Sequence, residues 1–147
     1  MEIPTCVPRP KVFSVSRPQD RTTVPGAGRR ILLVEDHADT AMIMVRLLKA
    51  SGHTVKTAST VAFAEDLAAR EPFDLVISDL GLPDGSGLDL MRHLKACFHL
   101  PGIALSGYST EEDVQKSLEA GFEEHLTKPV EFNRLKEAIG RLEVSQS

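Results

Sequence analysis

From Arg30 onward, short apolar stretches alternate regularly with segments whose apolar residues recur at helical spacing. The run RILLVED, at 30–36, reads as a strand, and the segment after it is periodic until Gly52. Further strand signals occur at 53–58, 73–79, 102–107 and 124–129, each followed by an amphipathic segment. Parallel strands need crossover connections, and each helix must bury its apolar stripe. We therefore predict a single α/β three-layer sandwich with five parallel strands and five helices.

The predicted helices have local start and stop signals. Ser59 or Thr60 can cap the second helix, whose inner face is predicted to include Phe63. The fourth helix is expected to begin at a capping box and to end at a glycine, with Leu118 facing inward. That capping box consists of Ser109 and Glu112, and the terminal glycine is Gly121.

The charge distribution separates the chain into two parts. Residues 1–30 hold six Lys/Arg and five of the nine prolines, whereas the remaining 117 residues have a formal net charge of −8. We predict that 1–28 form a flexible basic tail or linker and that 29–147 form the folded domain. An acidic folded part argues against nucleic acid as its direct ligand.

Cysteine usage and hydropathy indicate a cytoplasmic protein. Cys6 and Cys97 lie far apart and match no metal or redox spacing, so both are predicted to be reduced thiols. No apolar run approaches the length of a membrane span, and the N-terminus has no secretory h-region. We expect no contact of this chain with a membrane.

Reactive side chains stand at the ends of four predicted strands. Glu35 and Asp36 end the first strand, Asp79 the third, Ser106 the fourth and Lys128 the fifth. Each residue alone is explained by a helix cap, a turn or a solvated charge. Acids, a hydroxyl and an amine at one sheet edge are harder to obtain from turn chemistry, and ligand sites of open α/β sheets lie at that edge.

The motifs LLVED, DLVISDLGLPDGSG, ALSGY and HLTKP occur here in that order. With them the chain resembles the receiver domain of two-component response regulators over about residues 29–143. The resemblance implies a flavodoxin-like sheet with strand order 2-1-3-4-5. It also implies that the domain accepts a phosphoryl group with the help of Mg²⁺ or Mn²⁺.

The resemblance assigns roles to individual residues. Asp79 is similar to the phosphoacceptor of the family, and Lys128 to its phosphoryl-binding amine. The implied metal ligands are Glu35, Asp36, Asp79 and the backbone carbonyl of Gly81, while Ser106 is the implied switch hydroxyl. His125 stands where the family usually has an aromatic switch residue, and the bond between Lys128 and Pro129 is expected to be cis.

The resemblance therefore implies a phosphorelay receiver that takes its phosphoryl group from a histidine kinase or phosphotransfer protein. Phosphorylation is expected to change a surface formed by helix four, strand five and helix five, to which a downstream protein docks. The chain would be an autocatalytic phosphoacceptor and no enzyme beyond that. Only EVSQS follows the last helix, so the receiver is expected to stand alone or to belong to a hybrid sensor histidine kinase.

Other classes remain as alternatives. A phosphorylation-independent interaction module on the same fold would lack metal binding. A phosphohydrolase of the haloacid dehalogenase type needs a second acid where this chain has Gly81. A flavodoxin needs a phosphate-binding loop after the first strand, where Glu35, Asp36 and His37 would repel an anion.

Overall fold

A computed structural model of the chain describes residues 29–107 and 110–145. The strands are β1 (Arg30–Val34), β2 (Thr54–Ala58), β3 (Leu75–Asp79), β4 (Gly81–Leu82), β5 (Gly85–Ser86), β6 (Gly102–Ser106) and β7 (Glu124–Thr127). The helices are α1 (Ala38–Ala50), α2 (Val61–Arg70), α3 (Gly87–Phe98), α4 (Glu111–Ala120) and α5 (Phe132–Ser145). The alternation of strands and helices follows the prediction, with strands one to two residues shorter at their ends.

The sheet has five parallel strands in the order β2-β1-β3-β6-β7. Counted over these five strands alone, the order is 2-1-3-4-5, which confirms the predicted fold. The two-residue strands β4 and β5 form a separate antiparallel hairpin directly after β3. The hairpin was not predicted, because the Gly/Pro/Asp turn carries no strand signal.

Alternate residues of each central strand enter opposite cores, because side chains of a strand point to alternate faces. In β1, Ile31 and Leu33 pack with α1 and α5, and Leu32 and Val34 pack with the helices on the other face. All four are fully buried. Three layers result, with α1 and α5 on one side of the sheet and α2, α3 and α4 on the other.

The predicted caps of the helices agree with the structure except at the start of α4. Thr60 caps α2 by accepting a hydrogen bond from the Phe63 amide, so one of the two predicted caps is confirmed. Thr110, not Ser109, caps α4, where its hydroxyl oxygen accepts from the Asp113 amide. Ser109 itself lies outside the described residues. Gly121 ends α4 with φ +116°, a left-handed conformation that favours glycine.

Two inner-face predictions were wrong. Phe63 is 45% exposed and Leu118 is 46% exposed. The faces that enter the core consist mostly of small residues, including Ala64 in α2 and Ser117 with Ala120 in α4. Small side chains let these helices lie close to the sheet, and the larger neighbour one position away points outward.

The prediction of reduced thiols was also wrong, because Cys97 is disulfide-bonded. Spacing alone does not reveal a pairing between distant cysteines. Cys6 and the rest of the predicted tail, residues 1–28, lie outside the described part of the chain.

Candidate functional site

The carboxyl ends of the central strands meet at one edge of the sheet. Register places Val34 beside Ser78, Asp79 beside Leu105, and Ser106 beside Thr127. The strand ends are therefore neighbours in space. They carry Glu35 after β1, Asp79 in β3, Ser106 in β6 and Lys128 after β7. This edge holds the predicted residues of all four strand ends.

Three carboxylates form the centre of the site. The Glu35 side chain is fully buried, that of Asp79 is 11% exposed and that of Asp36 is 31% exposed. Ligand atoms of Glu35, Asp36, His37 and Asp79 all lie within 4.8 Å of one another. A pair of carboxylates about 4 Å apart repels by about 1 kcal/mol in water and about 4 kcal/mol at an effective dielectric constant of about 20. Such a cluster favours a compensating cation.

Lys128 supplies one positive charge. Its Nζ lies 3.1 Å from Glu35 Oε1 and 3.0 Å from Asp79 Oδ2. Burial lowers the pKa of the Lys128 amine, but the hydrogen bonds to Asp79 and Glu35 outweigh burial and raise that pKa above its ordinary value. The amine therefore stays charged between the two acids.

His37 is a member of this cluster that the sequence prediction did not assign to the site. Its Nδ1 lies 3.0 Å from Glu35 Oε2 and 3.4 Å from Asp36 Oδ1. The bond to Glu35 is the main reason that the pKa of His37 is raised. Burial raises the pKa of Glu35, but hydrogen bonds from His37 and Lys128 outweigh it and lower that pKa. The sequence signal for His37 is its place directly after the acidic pair.

Two other predicted residues lie beside the cluster. Ser106 is buried at the end of β6, and its carbonyl accepts a 2.7 Å hydrogen bond from the Lys128 amide. Gly81 is exposed in β4, where it pairs with Ser86. The structure thus brings Glu35, Asp36, Asp79 and Lys128 into direct proximity, with Ser106 and Gly81 in the adjoining segments.

The turn after Asp79 is held in place at both ends. Asp84 accepts hydrogen bonds from the Val61 and Ala62 amides, at 2.7 and 3.1 Å, and so caps α2 from a distant loop. The Gly87 amide donates to Leu80 O at 2.8 Å. A Cβ at Gly87 would overlap the carbonyl oxygen of Asp79, so this close approach needs glycine. The hairpin therefore fixes the backbone of Asp79.

His125 lies on β7, away from the acids. Its Nδ1 is 2.9 Å from Ser117 Oγ, and that hydroxyl also donates to Val114 O at 2.9 Å. Because the hydroxyl has one proton, the Nδ1 of His125 acts as the donor to Ser117. The imidazole is thereby tied to α4. The Lys128–Pro129 bond is cis, as the resemblance implied.

Residues 31–140 match the family model of the response regulator receiver domain. The chain belongs to this receiver family. The response regulator PilR of Pseudomonas aeruginosa is 35% identical over 112 residues, which are 76% of this chain and 25% of PilR. The sensory/regulatory protein RpfC of Xanthomonas campestris is 30% identical over 139 residues, which are 91% of this chain and 19% of RpfC. This receiver therefore spans a quarter or less of either relative.

Solved structures agree with the fold. The receiver domain of a Pseudomonas aeruginosa sensor histidine kinase, with magnesium coordinated in its active site cleft, is 28% identical. It matches with a TM-score of 0.72 over 80% of this chain and 98% of that one. This receiver accordingly has the fold and family of two-component phosphorelay domains.

The donor set of this receiver fits a hard divalent cation. Its carboxylate oxygens come from two segments of chain, one directly after β1 and one at the end of β3, and oxygen is the ligand that Mg²⁺ prefers. A carboxylate held beside an amine and a cation site is suited to accept a phosphoryl group.

Among the described helices, none is long and apolar enough to span a membrane.

Proposed function

We propose that Asp79 is the phosphoacceptor of this receiver. The observation that carries the proposal is the contact of one Asp79 oxygen with Lys128 Nζ at 3.0 Å, inside a cluster of acids. The other carboxylate oxygen attacks the phosphorus of a phospho-histidine. The bond from phosphorus to the donor nitrogen breaks, its electrons leave with the imidazole, and an acyl phosphate forms on Asp79.

Asp36, Asp79 and Glu35 would hold Mg²⁺ or Mn²⁺, with the carbonyl of Gly81 as a further ligand. A bound ion supplies charge neutralisation at the phosphoryl oxygens. Lys128 binds one of those oxygens and keeps its own proton throughout, since its pKa is raised. We propose no enzymatic activity beyond this self-phosphorylation.

Incorporation of labelled phosphate from a small acyl phosphate tests the role of Asp79. Wild type should incorporate label in the presence of Mg²⁺ and lose incorporation when the ion is chelated. Asp79→Asn should incorporate none. Asp89→Asn is the matched control, because Asp89 lies in the first turn of α3 and its side chain is 75% exposed. Full labelling of the Asp79 variant would exclude that residue.

We further propose that the acyl phosphate is sensed by Ser106 and transmitted to the surface formed by α4, β7 and α5. His125 takes part by breaking its bond to Ser117. Removal of that bond in Ser117→Ala should shift the unphosphorylated receiver toward the phosphorylated form, as judged by amide chemical shifts of α4. Amide shifts that stay at the unphosphorylated positions would remove His125 from the switch.

The phosphoryl donor is proposed to be a histidine kinase or phosphotransfer protein that docks beside Lys128. A largely apolar groove of about 470 Å³ runs there between α1 and α5. Its rim includes Ile43 and Leu47, which are 58% and 38% exposed. An apolar patch of this kind supports contact with another protein.

Comparing two phosphoryl donors, the cognate kinase and a small acyl phosphate, distinguishes a loss of docking from a loss of phosphoryl-transfer activity. Ile43→Asp should slow phosphoryl transfer from the cognate kinase while leaving labelling by a small acyl phosphate unchanged. Phe63→Asp, at an exposed apolar site on the opposite helical layer, is the control and should alter neither rate. Equal slowing with both donors would show damage to the site instead of loss of docking.

The wider context is proposed from the relatives. The receiver, residues 29–147, either stands alone or belongs to a hybrid sensor histidine kinase, with 1–28 as tail or linker. We propose a cytoplasmic location, no direct nucleic-acid contact, and a downstream protein that docks after phosphorylation. Because a reducing compartment disfavours disulfides, thiol labelling of Cys97 in cells tests the location directly.

A phosphorylation-independent interaction module is the second candidate. Exposed apolar residues on α1 would support partner binding on either hypothesis. Partner affinity distinguishes the two. Under our proposal the affinity of a downstream partner changes on phosphorylation, and Asp79→Asn abolishes the change. An affinity equal in both states favours the module.

A further inference from the structure

The hairpin that follows Asp79 is joined to a neighbouring helix by one carboxylate and by close packing. Asp84 lies in the turn between β4 and β5. Its Oδ1 accepts a 2.7 Å hydrogen bond from the Val61 amide, and its Oδ2 accepts a 3.1 Å bond from the Ala62 amide. A Cβ at Gly85 would lie 3.4 Å from Cγ2 of Val61, so the turn lies directly against the first residue of α2.

We propose that Asp84 is a positioning residue for the phosphoryl-accepting site. By holding the hairpin on α2, it keeps the backbone of Gly81 in the place from which that carbonyl serves as a ligand of the cation. The inference rests on the proposed function. It names a residue outside the acidic cluster on which cation binding depends.

The hairpin has little structure of its own to hold Gly81 in one position. It consists of two residue pairs, Gly81 with Ser86 and Leu82 with Gly85. Hairpins of this size are at best marginally stable in water unless they pack against other elements. From Gly81 to Ser86, only Leu82 and Ser86 are partly buried, and the other residues are exposed. The position of the hairpin therefore depends on contacts with its neighbours.

The contact with α2 lies close to the site along the chain. Gly81 is two residues after Asp79 and three residues before Asp84. Pro83 lies between them, and its ring fixes φ near about −65°, so that residue absorbs little of a movement of the turn. Asp79 itself lies in β3, where it pairs with Leu105. Release of the turn should therefore displace Gly81 more than Asp79.

A competing explanation is that Asp84 serves only to cap α2. Thr60 caps the same helix, because its hydroxyl oxygen accepts a 3.1 Å hydrogen bond from the Phe63 amide. Thr60 precedes α2 in the chain and is no part of the hairpin. If Asp84 is only a cap, Thr60→Ala and Asp84→Ala should affect the site equally. If Asp84 is a positioning residue, only its own substitution should weaken cation binding.

Calorimetric titration of the whole chain with Mg²⁺ tests the proposal. Asp84→Ala should weaken Mg²⁺ binding about fivefold or more, whereas Thr60→Ala should change it by less than about twofold. Both variants should unfold at a lower urea concentration than wild type, because each loses a helix cap. Asp84→Asn keeps a carbonyl oxygen for one of the two amides, so its Mg²⁺ affinity should lie between those of wild type and Asp84→Ala.

Two further measurements separate positioning from a general loss of stability. In Asp84→Ala the Mg²⁺ concentration needed for half-maximal labelling by a small acyl phosphate should rise, but the rate at saturating Mg²⁺ should stay within about twofold of wild type. Hydrogen exchange of the Val61 and Ala62 amides should slow when Mg²⁺ binds to wild type, because coupling between two sites is reciprocal. That slowing should be absent in Asp84→Ala.

The possible failures are distinguishable. Equal losses of Mg²⁺ affinity in Asp84→Ala and Thr60→Ala would overturn the proposal, since Asp84 would then be only a cap. An unchanged affinity in folded Asp84→Ala would also overturn it, while labelling of wild type but not of Asp79→Asn would leave the proposed function intact. If Asp84→Ala does not fold, the comparison of Asp84→Asn with Thr60→Ala decides in the same way. Wild type that neither binds Mg²⁺ nor incorporates label would overturn both.

Discussion

Single residues at the sheet edge have roles that differ from those of the same residue type elsewhere in the chain. Gly87 lies against the carbonyl of Asp79, whereas Gly140 in α5 has open space where a Cβ would be. Lys128 bridges two buried acids, whereas Lys95 pairs with Glu123 at the surface. These contrasts give two predictions at the residue scale.

Gly87→Ala should destabilise the receiver, because its Cβ would overlap the Asp79 carbonyl and push the backbone of Asp79 away. We expect a loss of about 1–3 kcal/mol in the free energy of unfolding, measured with urea. Gly140→Ala should instead stabilise by about 0.5–1 kcal/mol, since alanine is the better residue inside a helix. Equal effects of the two substitutions would contradict the close packing at Gly87.

Lys128→Met should leave the buried carboxylates without their amine. We expect a loss of about 1–3 kcal/mol without metal, less than for a fully buried pair because the Lys128 side chain is 26% exposed. The loss should shrink as the pH falls and a carboxyl group becomes protonated. Lys95→Met should cost less than about 1 kcal/mol. An equal loss in both variants would mean that burial of the acids has no energetic weight.

At the scale of elements, loops hold helices and strands in place across long sequence distances. Asp84 belongs to the turn after β3 but caps α2, and it thereby joins the loop after Asp79 to the helix that follows β2. Asp84 itself lies in the turn of the hairpin, between β4 and β5. Loss of the cap should loosen both elements together.

Asp84→Ala should lower stability, and the effect should depend on pH. Hydrogen bonds from the Val61 and Ala62 amides hold the pKa of Asp84 below its ordinary value. A lowered pKa in the folded state adds stability above the unfolded pKa, and that contribution is lost as the pH falls through the folded value. The difference in unfolding midpoint between wild type and Asp84→Ala should therefore narrow in acid. Asp66→Asn, which removes a surface pair with Arg70, serves as the control.

At the scale of the whole molecule, stability and ion binding are linked. An ion that binds the folded receiver alone stabilises it, by about 2.7 kcal/mol at a concentration about 100 times its dissociation constant. Mg²⁺ should therefore raise the melting temperature of wild type but not of Asp36→Asn. Without any ion, Asp36→Asn should be as stable as wild type or more so, because one repelling carboxylate is removed. A metal-free variant that is less stable would argue against repulsion in the cluster.

Much of the architecture was predictable because burial patterns have a period. Continuous apolar strands and periodic helices gave the three-layer sheet, and strand ends gave Glu35, Asp36, Asp79 and Lys128. Phe63 and Leu118 were assigned to the inner faces because each directly adjoins a residue of the buried face, and helical spacing alone does not fix the edge of that face. Long-range polar contacts have no such period, so neither the Asp84 cap nor the bond from His125 to Ser117 was predicted.

The contact of His37 with Glu35 could not be predicted from the sequence either. Its neighbours in sequence indicated charge repulsion, but the turn of its ring toward Glu35 depends on the backbone at the start of α1. The disulfide at Cys97 likewise depends on distances that spacing does not encode.

The contacts of Lys128 reach back 93 positions to Glu35 and 49 positions to Asp79. A chain emerging from the ribosome therefore presents both acids long before their amine has been synthesised. Until β7 joins the sheet, those carboxylates lack the amine that lies between them in the folded receiver. Under the proposed function, the site is therefore complete only after the segment that carries Lys128 has been synthesised and β7 has joined the sheet.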